Sequence, residues 1–209
     1  VTGAGGGLGS VLLRALAEAR VEHLGLVSKT GPHPHFGKVL AVDLCDPRTY
    51  EDLVFSLAPK AIVHLAAVSQ IAAAYEDPDR AHALNVESTA RLVALASALG
   101  ARFLYASTDL VFDGEAAPYD EDASTDPEVS RAPTWFGSTV SALRKGERVR
   151  LFEDEYRTPL WLDDAARLCV KLAHAGVSGV LHAGGPERLS RVDMGLGIAR
   201  ALGADASLI

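Results

Sequence analysis

The pattern of apolar and polar positions predicts short buried strands and amphipathic helices in the first half of the chain. Apolar residues recur at helical spacing over 8–19, whereas other apolar runs have the length of strands. Strands are predicted at residues 1–4, 23–27, 39–44, 61–67 and 102–106, and helices at 8–19, from Asp46 onward and at 79–99. Because strands and helices alternate, we expect an α/β fold with helices on both faces of a parallel sheet.

The second half of the chain is less regular. Residues 109–133 are acidic and contain prolines, which is typical of a loop. Beyond them the pattern predicts helices near 138–145, from Asp163 or Asp164, and after Ser190, with strands at 148–152 and 180–182. Ser190 and Asp193 have the spacing of a capping box. We therefore expect one unit over 1–130, joined by elements returning from the second half, and a smaller α+β part over 131–209.

Composition narrows the classes of function. The 209 residues are 48% hydrophobic and 22% charged, as in ordinary globular proteins, and the net charge of −7 argues against a basic nucleic-acid surface. No apolar run reaches the ~18 residues of a membrane-spanning helix, so no membrane contact is expected. Cys45 and Cys169 lie far apart in the sequence, so we expect no disulfide and a cytoplasmic location. No pair of histidines has the spacing of metal ligands, so we expect no metal site. Because the sequence starts at Val1 inside an apolar run, we expect residues to be missing there.

A glycine-rich turn, TGAGGGLG at 2–9, follows the first predicted strand and precedes the first predicted helix. Gly3, Gly6 and Gly9 are three residues apart. A dinucleotide pyrophosphate needs a tight turn, close backbone approach and the free amides of a helix N-terminus, and side chains would obstruct all three. The turn therefore predicts a dinucleotide site, with a glycine-rich turn that binds no ligand as the alternative.

The end of the second strand bears on the choice of cofactor. No acidic residue occurs between Glu22 and Asp43, although NAD-binding folds usually place one about 20 residues after the glycines. Ser28 and Lys29 stand there instead and could hold a 2′-phosphate, which favours NADP, with NAD as the alternative cofactor. Asp43 ends the third strand, where it could accept from the adenine amino group or only cap a turn.

Several motifs together resemble a known family. They are the glycine turn, HLAA at 64–67, Asn85-Val86, STDLVFDG at 107–114, PYDED at 118–122 and GVLHAGGP at 179–186. The chain resembles the extended short-chain dehydrogenase/reductases, and more narrowly the dTDP-4-dehydrorhamnose reductase family. This resemblance implies a Rossmann-type doubly wound parallel sheet with a small C-terminal substrate-binding part. It also implies NAD(P)H-dependent reduction of a 4-keto nucleotide sugar.

The resemblance also implies roles for individual residues. Thr108 would hold the substrate carbonyl, although a Ser-Thr pair at a strand end is more often a turn device. Around the cofactor, Gly6, Gly7 and Leu8 would line the pyrophosphate, Asp43 and Leu44 would flank the adenine, and Ala66, Ala67 and Val68 would lie under the dinucleotide. Trp135 would touch the substrate. From their chemistry, Asp109 could meet a sugar hydroxyl, and Arg157 could bind a phosphate of the sugar nucleotide or belong to a surface turn.

One departure from the family pattern is large. The family uses a tyrosine as proton donor with a lysine four residues later, but no Tyr-x-x-x-Lys occurs in this sequence. We expect this pair in segments that the sequence lacks, near the jump from Asp126-Pro127 to Arg131-Ala132. The competing hypothesis is an inactive cofactor-binding relative that regulates a partner, as the β subunit of methionine adenosyltransferase does. For the reductase, we expect a nucleotide sugar as substrate and a homodimer as the assembly.

Overall fold

The computed structural model describes residues 1–28, 34, 36–112, 117–125 and 135–209, with only the backbone of Ile71 and Trp135. The strands are β1 Leu24–Val27, β2 Lys38–Ala41, β3 Ala61–His64, β4 Arg102–Tyr105, β5 Tyr156–Arg157 and β6 Leu189–Ser190. The α-helices are α1 Gly7–Glu18, α2 Glu51–Leu57, α3 Ile71–Glu76, α4 Pro78–His82, α5 Ser88–Leu99, α6 Trp135–Arg144, α7 Leu162–His174 and α8 Arg191–Leu202. These residues group into two compact units, one within Val1–Ser130 and Leu162–His182, the other within Arg131–Trp161 and Ala183–Ile209.

The first unit contains a parallel sheet centred on the start of the chain. Strand β1 pairs in parallel with β2, and β3 pairs in parallel with β4. Thr2 forms parallel bridges to both Leu26 and His64 and so joins the two pairs. The resulting spatial order is β2, β1, residue 2, β3 and β4. All their carboxyl ends therefore meet at one edge of the sheet, where open α/β folds bind ligands.

Helices cover both faces of this sheet. Ile62 and Val63 are adjacent in β3 and point to opposite faces, as strand geometry requires. Ile62 packs with Tyr50, Val54, Leu92 and others under α2 and α5. Val63 packs with Leu12, Leu16 and Ala166 under α1 and α7. The predicted doubly wound α/β architecture is confirmed.

The second unit is a small α+β arrangement. Strand β5 pairs antiparallel with β6, and α6 packs against α8. The capping box is present: Ser190 Oγ accepts from the amide of Asp193, and the Asp193 carboxylate accepts from the amide of Ser190 at 2.9 Å. This cap fixes the start of α8, because it satisfies amides that the helix itself leaves free.

Three local predictions were wrong. Residues 148–152 carry no strand, and the amide of Val149 instead donates to the Leu208 carbonyl at 2.7 Å. Residues 180–182 carry none either, because the amide of His182 donates to the Glu121 carboxylate rather than to a neighbouring strand. The helix predicted over 79–99 is interrupted by a π-helical turn, Ala83–Glu87, between α4 and α5. Such turns are frequent at functional sites.

A buried chain of hydrogen bonds connects Thr2 to α5 through His64. Thr2 Oγ1 accepts from the amides of Leu65 and Ala66 at 3.2 and 3.3 Å, so its own proton points to His64 Nδ1 at 2.6 Å. His64 Nε2 then donates to Thr89 Oγ1 at 2.9 Å. His64 is fully buried, and this burial lowers the pKa of its imidazole to about 4. The structure therefore holds His64 neutral, with its proton on Nε2.

The neutral His64 makes stability depend on pH. The unfolded chain binds a proton at His64 below about pH 6.5, whereas the folded protein excludes it down to about pH 4, so stability falls as the pH is lowered through this window. The loss is about 1.4 kcal/mol per pH unit, which gives ~2 kcal/mol between pH 6.5 and 5. Urea unfolding should show this extra loss in the wild type and not in His64→Gln. His174→Gln, at an exposed histidine of α7, is the control that should behave as wild type. Equal losses in the wild type and His64→Gln would contradict a buried neutral imidazole.

Candidate active site

The glycine turn is formed by backbone packed directly against backbone. Gly3 has a φ of +63°, and a Cβ on it would lie 2.6 Å from the amide nitrogen of Ala66 and the carbonyl carbon of Leu65. A Cβ on Gly9 would lie 2.2 Å from the carbonyl oxygen of Gly3. Neither neighbour is a side chain that could move aside. These two glycines are therefore required by packing, whatever the turn binds.

Gly6, Gly7 and Leu8 stand at the beginning of α1. Gly6 is the N-cap residue, and it makes no side-chain capping bond. The first turn of the helix contains no acidic residue. The first amides of a helix have no carbonyl acceptor within it and carry positive potential. A Cβ on Gly7 would be in ordinary van der Waals contact with Leu162 Cδ1, at 3.7 Å. This helix end can receive a phosphate group.

The residues expected around the adenosine lie at the ends of β1 and β2. Ser28 is exposed directly after β1, whereas Lys29 lies outside the described residues. Asp43 is exposed, and its Oδ1 accepts from the amide of Cys45 at 3.0 Å, so it does cap a turn. The Leu44 side chain is only 8% exposed and belongs to the core, which leaves its backbone to face a ligand.

The loop after β3 contains Ala66, Ala67 and Val68. Ala67 is exposed, and its two neighbours are half-buried. The side chain of Asn85 holds this loop, because its Oδ1 accepts from the amide of Val68 at 2.8 Å and its Nδ2 donates to the Val68 carbonyl at 3.1 Å. Asn85 lies in the π-helical turn. The motif Asn85-Val86 pointed to this residue in the sequence, but only the structure shows that its side-chain amide binds the backbone of Val68.

Thr108 follows β4 at the carboxyl edge of the sheet and is exposed. Its Oγ1 accepts from the amide of Leu110 at 3.3 Å and donates to Asp109 Oδ1 at 3.2 Å. Thr108 thus caps the short 3₁₀ helix Asp109–Val111. The interpretation of Thr108 as a residue that stabilises a turn is therefore correct. This role does not prevent a catalytic one, because the hydroxyl can rotate and donate its proton to a substrate carbonyl oxygen instead of to Asp109.

Two residues in the second half of the chain, Trp135 and Arg157, were expected to contact the substrate. The side chain of Trp135 lies outside the described part of the structure. Arg157 is half-buried in β5, where its guanidinium contacts Glu155 Oε1 at 2.9 Å and donates to the Tyr156 carbonyl at 2.8 Å. Arg191 binds the same Glu155 oxygen at 2.6 Å. Arg157 is therefore an ion-paired residue, and a phosphate would have to compete with Glu155 for it.

The described cavities help to separate the two edges of the sheet. A groove of about 560 Å³ lies near the amino ends of β3 and β4, with Lys60, Gly100 and Arg102 among its lining residues. A smaller cavity of about 230 Å³ is lined by Ala67, Val68 and the start of α3. We assign the ligand site to the second location, because polar groups and free amides converge at the carboxyl ends of parallel strands.

The fit of a dinucleotide can be judged from these residues. The backbone cradle at Gly3 and Gly9 and the uncapped end of α1 fit a pyrophosphate, and Thr108 stands at the same sheet edge. Among the residues that the structure describes, no group of three His, Cys, Asp or Glu side chains could hold a metal ion. In the same residues, no helix is long and apolar enough to cross a membrane.

Similar proteins include reductases and the beta subunit of a methionine adenosyltransferase. A probable low-salt glycan biosynthesis reductase of Haloferax volcanii is 29% identical over 249 residues, covering 100% of this chain and 81% of that protein. Methionine adenosyltransferase 2 subunit beta of Bos taurus is 26% identical over 247 residues, covering 99% of this chain and 72% of that protein. Both alignments are longer than the 209 residues of the chain, so these relatives carry residues between the matched ones that this sequence lacks.

Solved structures show the same fold. A hypothetical dTDP-4-dehydrorhamnose reductase from Sulfolobus tokodaii superposes with a TM-score of 0.84 at 23% identity, covering 97% of this chain and 81% of that one. The enzyme of that name from Bacillus anthracis, in complex with NADP, gives a TM-score of 0.78 at 20% identity, covering 98% and 80% of the two chains.

The family assignment rests on a match to the sequence itself. Residues 1–137, which contain the glycine turn, the HLAA loop and the Thr108 turn, match the model of the RmlD substrate binding domain. This match includes every element that forms the carboxyl edge of the sheet. It also confirms the resemblance drawn from the motifs. The chain belongs to the RmlD substrate binding domain family.

Proposed function

We propose that this protein is an oxidoreductase that uses NADPH, with NADH as the alternative, to reduce the carbonyl group of a 4-keto nucleotide sugar. The observation that carries the proposal is the shared sheet edge. The pyrophosphate cradle at α1, the loop Ala66–Val68 and the Thr108 hydroxyl all stand at the carboxyl ends of parallel strands. The named reductases among the similar proteins support the same reaction class.

Different residues of this sheet edge would bind the cofactor and the substrate. The amides at the start of α1 would hold the pyrophosphate, and Asn85 fixes the loop at Val68, which would line the dinucleotide site. When bound, the reduced nicotinamide supplies the hydride. Thr108 donates a hydrogen bond to the substrate carbonyl oxygen, where negative charge develops. Asp109, next to it, accepts from a sugar hydroxyl. Ser28 would contact the 2′-phosphate together with Lys29, which lies outside the described residues, and this contact would favour NADP.

The proton donor must come from elsewhere, because no tyrosine of the chain has a lysine four residues later. We propose that the tyrosine and lysine lie in segments that this sequence lacks, and an alignment longer than the chain supports this. Arg157 and Trp135 stay predicted substrate contacts: Arg157 would have to exchange Glu155 for a phosphate, and the Trp135 side chain lies outside the described residues. The free thiols Cys45 and Cys169 support a cytoplasmic location. The homodimer stays a prediction.

The lack of a tyrosine with a lysine four residues later also supports a second candidate function. A chain without proton donor could keep the dinucleotide and regulate a partner enzyme, as the similarity to methionine adenosyltransferase 2 subunit beta suggests. The two functions differ in one assay. The protein purified from its natural gene should oxidise NADPH in the presence of dTDP-4-dehydrorhamnose, and its intact mass should exceed 22.0 kDa. A mass of 22.0 kDa with dinucleotide binding but no turnover would favour the regulatory subunit.

Thr108 should be needed for turnover and not for dinucleotide binding. In Thr108→Ala the carbonyl oxygen loses a hydrogen-bond donor, and kcat is expected to fall by about 100-fold. Thr108→Ser keeps a hydroxyl and should stay within about fivefold of wild type. Steady-state kinetics with dTDP-4-dehydrorhamnose, together with titration of NADP⁺, measure both quantities. Full activity of Thr108→Ala would show that Thr108 only caps its turn.

Gly7 offers a separate test of the pyrophosphate site. In Gly7→Asp a carboxylate at the first turn of α1 should leave stability unchanged or raise it by about 0.5 kcal/mol, because it complements the helix dipole. The same charge should weaken NADP⁺ binding at least about 30-fold through repulsion of the pyrophosphate. Gly7→Asn has the same shape without the charge and is the matched control. Calorimetric titration should find it within about fivefold of wild type. Equal binding by Gly7→Asp and wild type would place the pyrophosphate elsewhere.

A further inference from the structure

Two motifs that have no role in the dinucleotide site contact each other. Tyr119 and Glu121 belong to PYDED at 118–122, and His182 belongs to GVLHAGGP at 179–186. Phe112, which ends the Thr108 turn, packs between them. We call these four residues, Phe112, Tyr119, Glu121 and His182, the clasp. All four lie in the first unit.

The polar half of the clasp is a backbone-to-carboxylate hydrogen bond. The amide of His182 donates to Glu121 Oε1 at 3.0 Å, and His182 Nδ1 lies 4.0 Å from the same oxygen. The bond from the His182 amide lowers the pKa of Glu121. Hydrogen bonds to ionised groups are stronger than those between neutral groups. This bond takes the place of strand pairing at His182 and ties residues 117–125 to the segment after α7.

The apolar half of the clasp is a stack of rings. The rings of Phe112 and Tyr119 are nearly parallel, 4° apart in angle, with centroids at 4.5 Å. The imidazole of His182 meets Phe112 edge-on, at 5.9 Å and 82°. Both geometries are favourable for aromatic pairs. Phe112 is therefore held from two sides, by a residue of each motif.

The Thr108 turn depends on this anchor. Residues 106–110 are all exposed, so no core packing fixes them. Val111 and Phe112 are the first residues after β4 that are half-buried. The amide of Phe112 donates to the Asp109 carbonyl at 3.2 Å and closes the 3₁₀ turn that Thr108 caps. The turn is thus fixed at one end by β4 and at the other by Phe112.

We propose that Glu121 and His182 are positioning residues: Glu121 holds His182, and His182 packs against Phe112, so that together they hold the Thr108 hydroxyl at the carboxyl edge of the sheet for the substrate carbonyl. The catalytic part of this inference rests on the proposed function. The structural part does not, since it concerns contacts within the chain alone. A displacement of about 1 Å at a reacting group can cost up to 100-fold in rate, so an anchor four residues away is a means of control.

Amide hydrogen exchange, resolved by NMR, tests the structural part on the wild-type protein and three variants. Glu121→Ala removes the acceptor, and exchange at His182, Leu110 and Phe112 should accelerate about tenfold. Glu121→Gln keeps an acceptor oxygen and should restore exchange to within about threefold of wild type. Asp122→Ala removes the neighbouring carboxylate, which is not in the clasp, and should change nothing at these amides. Acceleration at His182 alone, or at no amide, would overturn the proposal.

Kinetics test the catalytic part. In the active protein Glu121→Ala should lower kcat for the keto sugar about tenfold, with the Kd for NADP⁺ within about twofold of wild type. Unchanged kcat despite faster exchange would overturn the positioning role. If the wild type itself shows no turnover, the proposed function fails, and the exchange experiment still decides whether the clasp holds the turn. The two failures are therefore distinguishable.

Discussion

The close approach of Gly3 to the backbone of Leu65 and Ala66 is the constraint on which the site depends. A Cβ at Gly3 would lie 2.6 Å from backbone atoms of the two residues that follow β3, and no side chain there could move aside. Only glycine permits this contact, and the contact brings the start of α1 next to the loop after β3. One residue earlier, Thr2 accepts from the amides of the same two residues. Turn and loop are therefore fixed relative to each other before any ligand binds.

A network of hydrogen bonds in the first unit stabilises that contact. Thr2 and Thr89 hold His64 as a neutral imidazole, and Thr89 itself donates to the Asn85 carbonyl at 2.8 Å. The Asn85 side chain then holds Val68. A continuous path of hydrogen bonds thus runs from Thr2, the first residue of the glycine turn, to Val68 at the far end of the loop. Because polar groups buried in this way are costly to leave unpaired, the network specifies one arrangement of the site.

The sequence predicted the features that local chemistry determines. The glycine turn, the capping box at Ser190 and the end of a helix at Leu99, just before a glycine with a φ of +62°, depend on residues a few positions apart. The sequence did not predict contacts between distant segments. His182 reads as part of a strand until its amide is seen to bind Glu121, 61 residues earlier. Arg157 looks available for a phosphate, but it contacts the Glu155 oxygen that Arg191, 36 residues later, also binds. Apolar periodicity carries no information about such partners.

The central claim is that the uncapped end of α1 and the loop Ala66–Val68 together receive the dinucleotide. Titration of ¹⁵N-labelled protein with NADP⁺ tests it most directly, because each amide reports its own surroundings. We expect the largest chemical-shift changes at Gly7, Leu8 and Gly9, with further changes at Ala67 and Val68. Unchanged signals there, with shifts instead at Gly100, Ala101 and Ser178 in the groove at the opposite edge of the sheet, would contradict it.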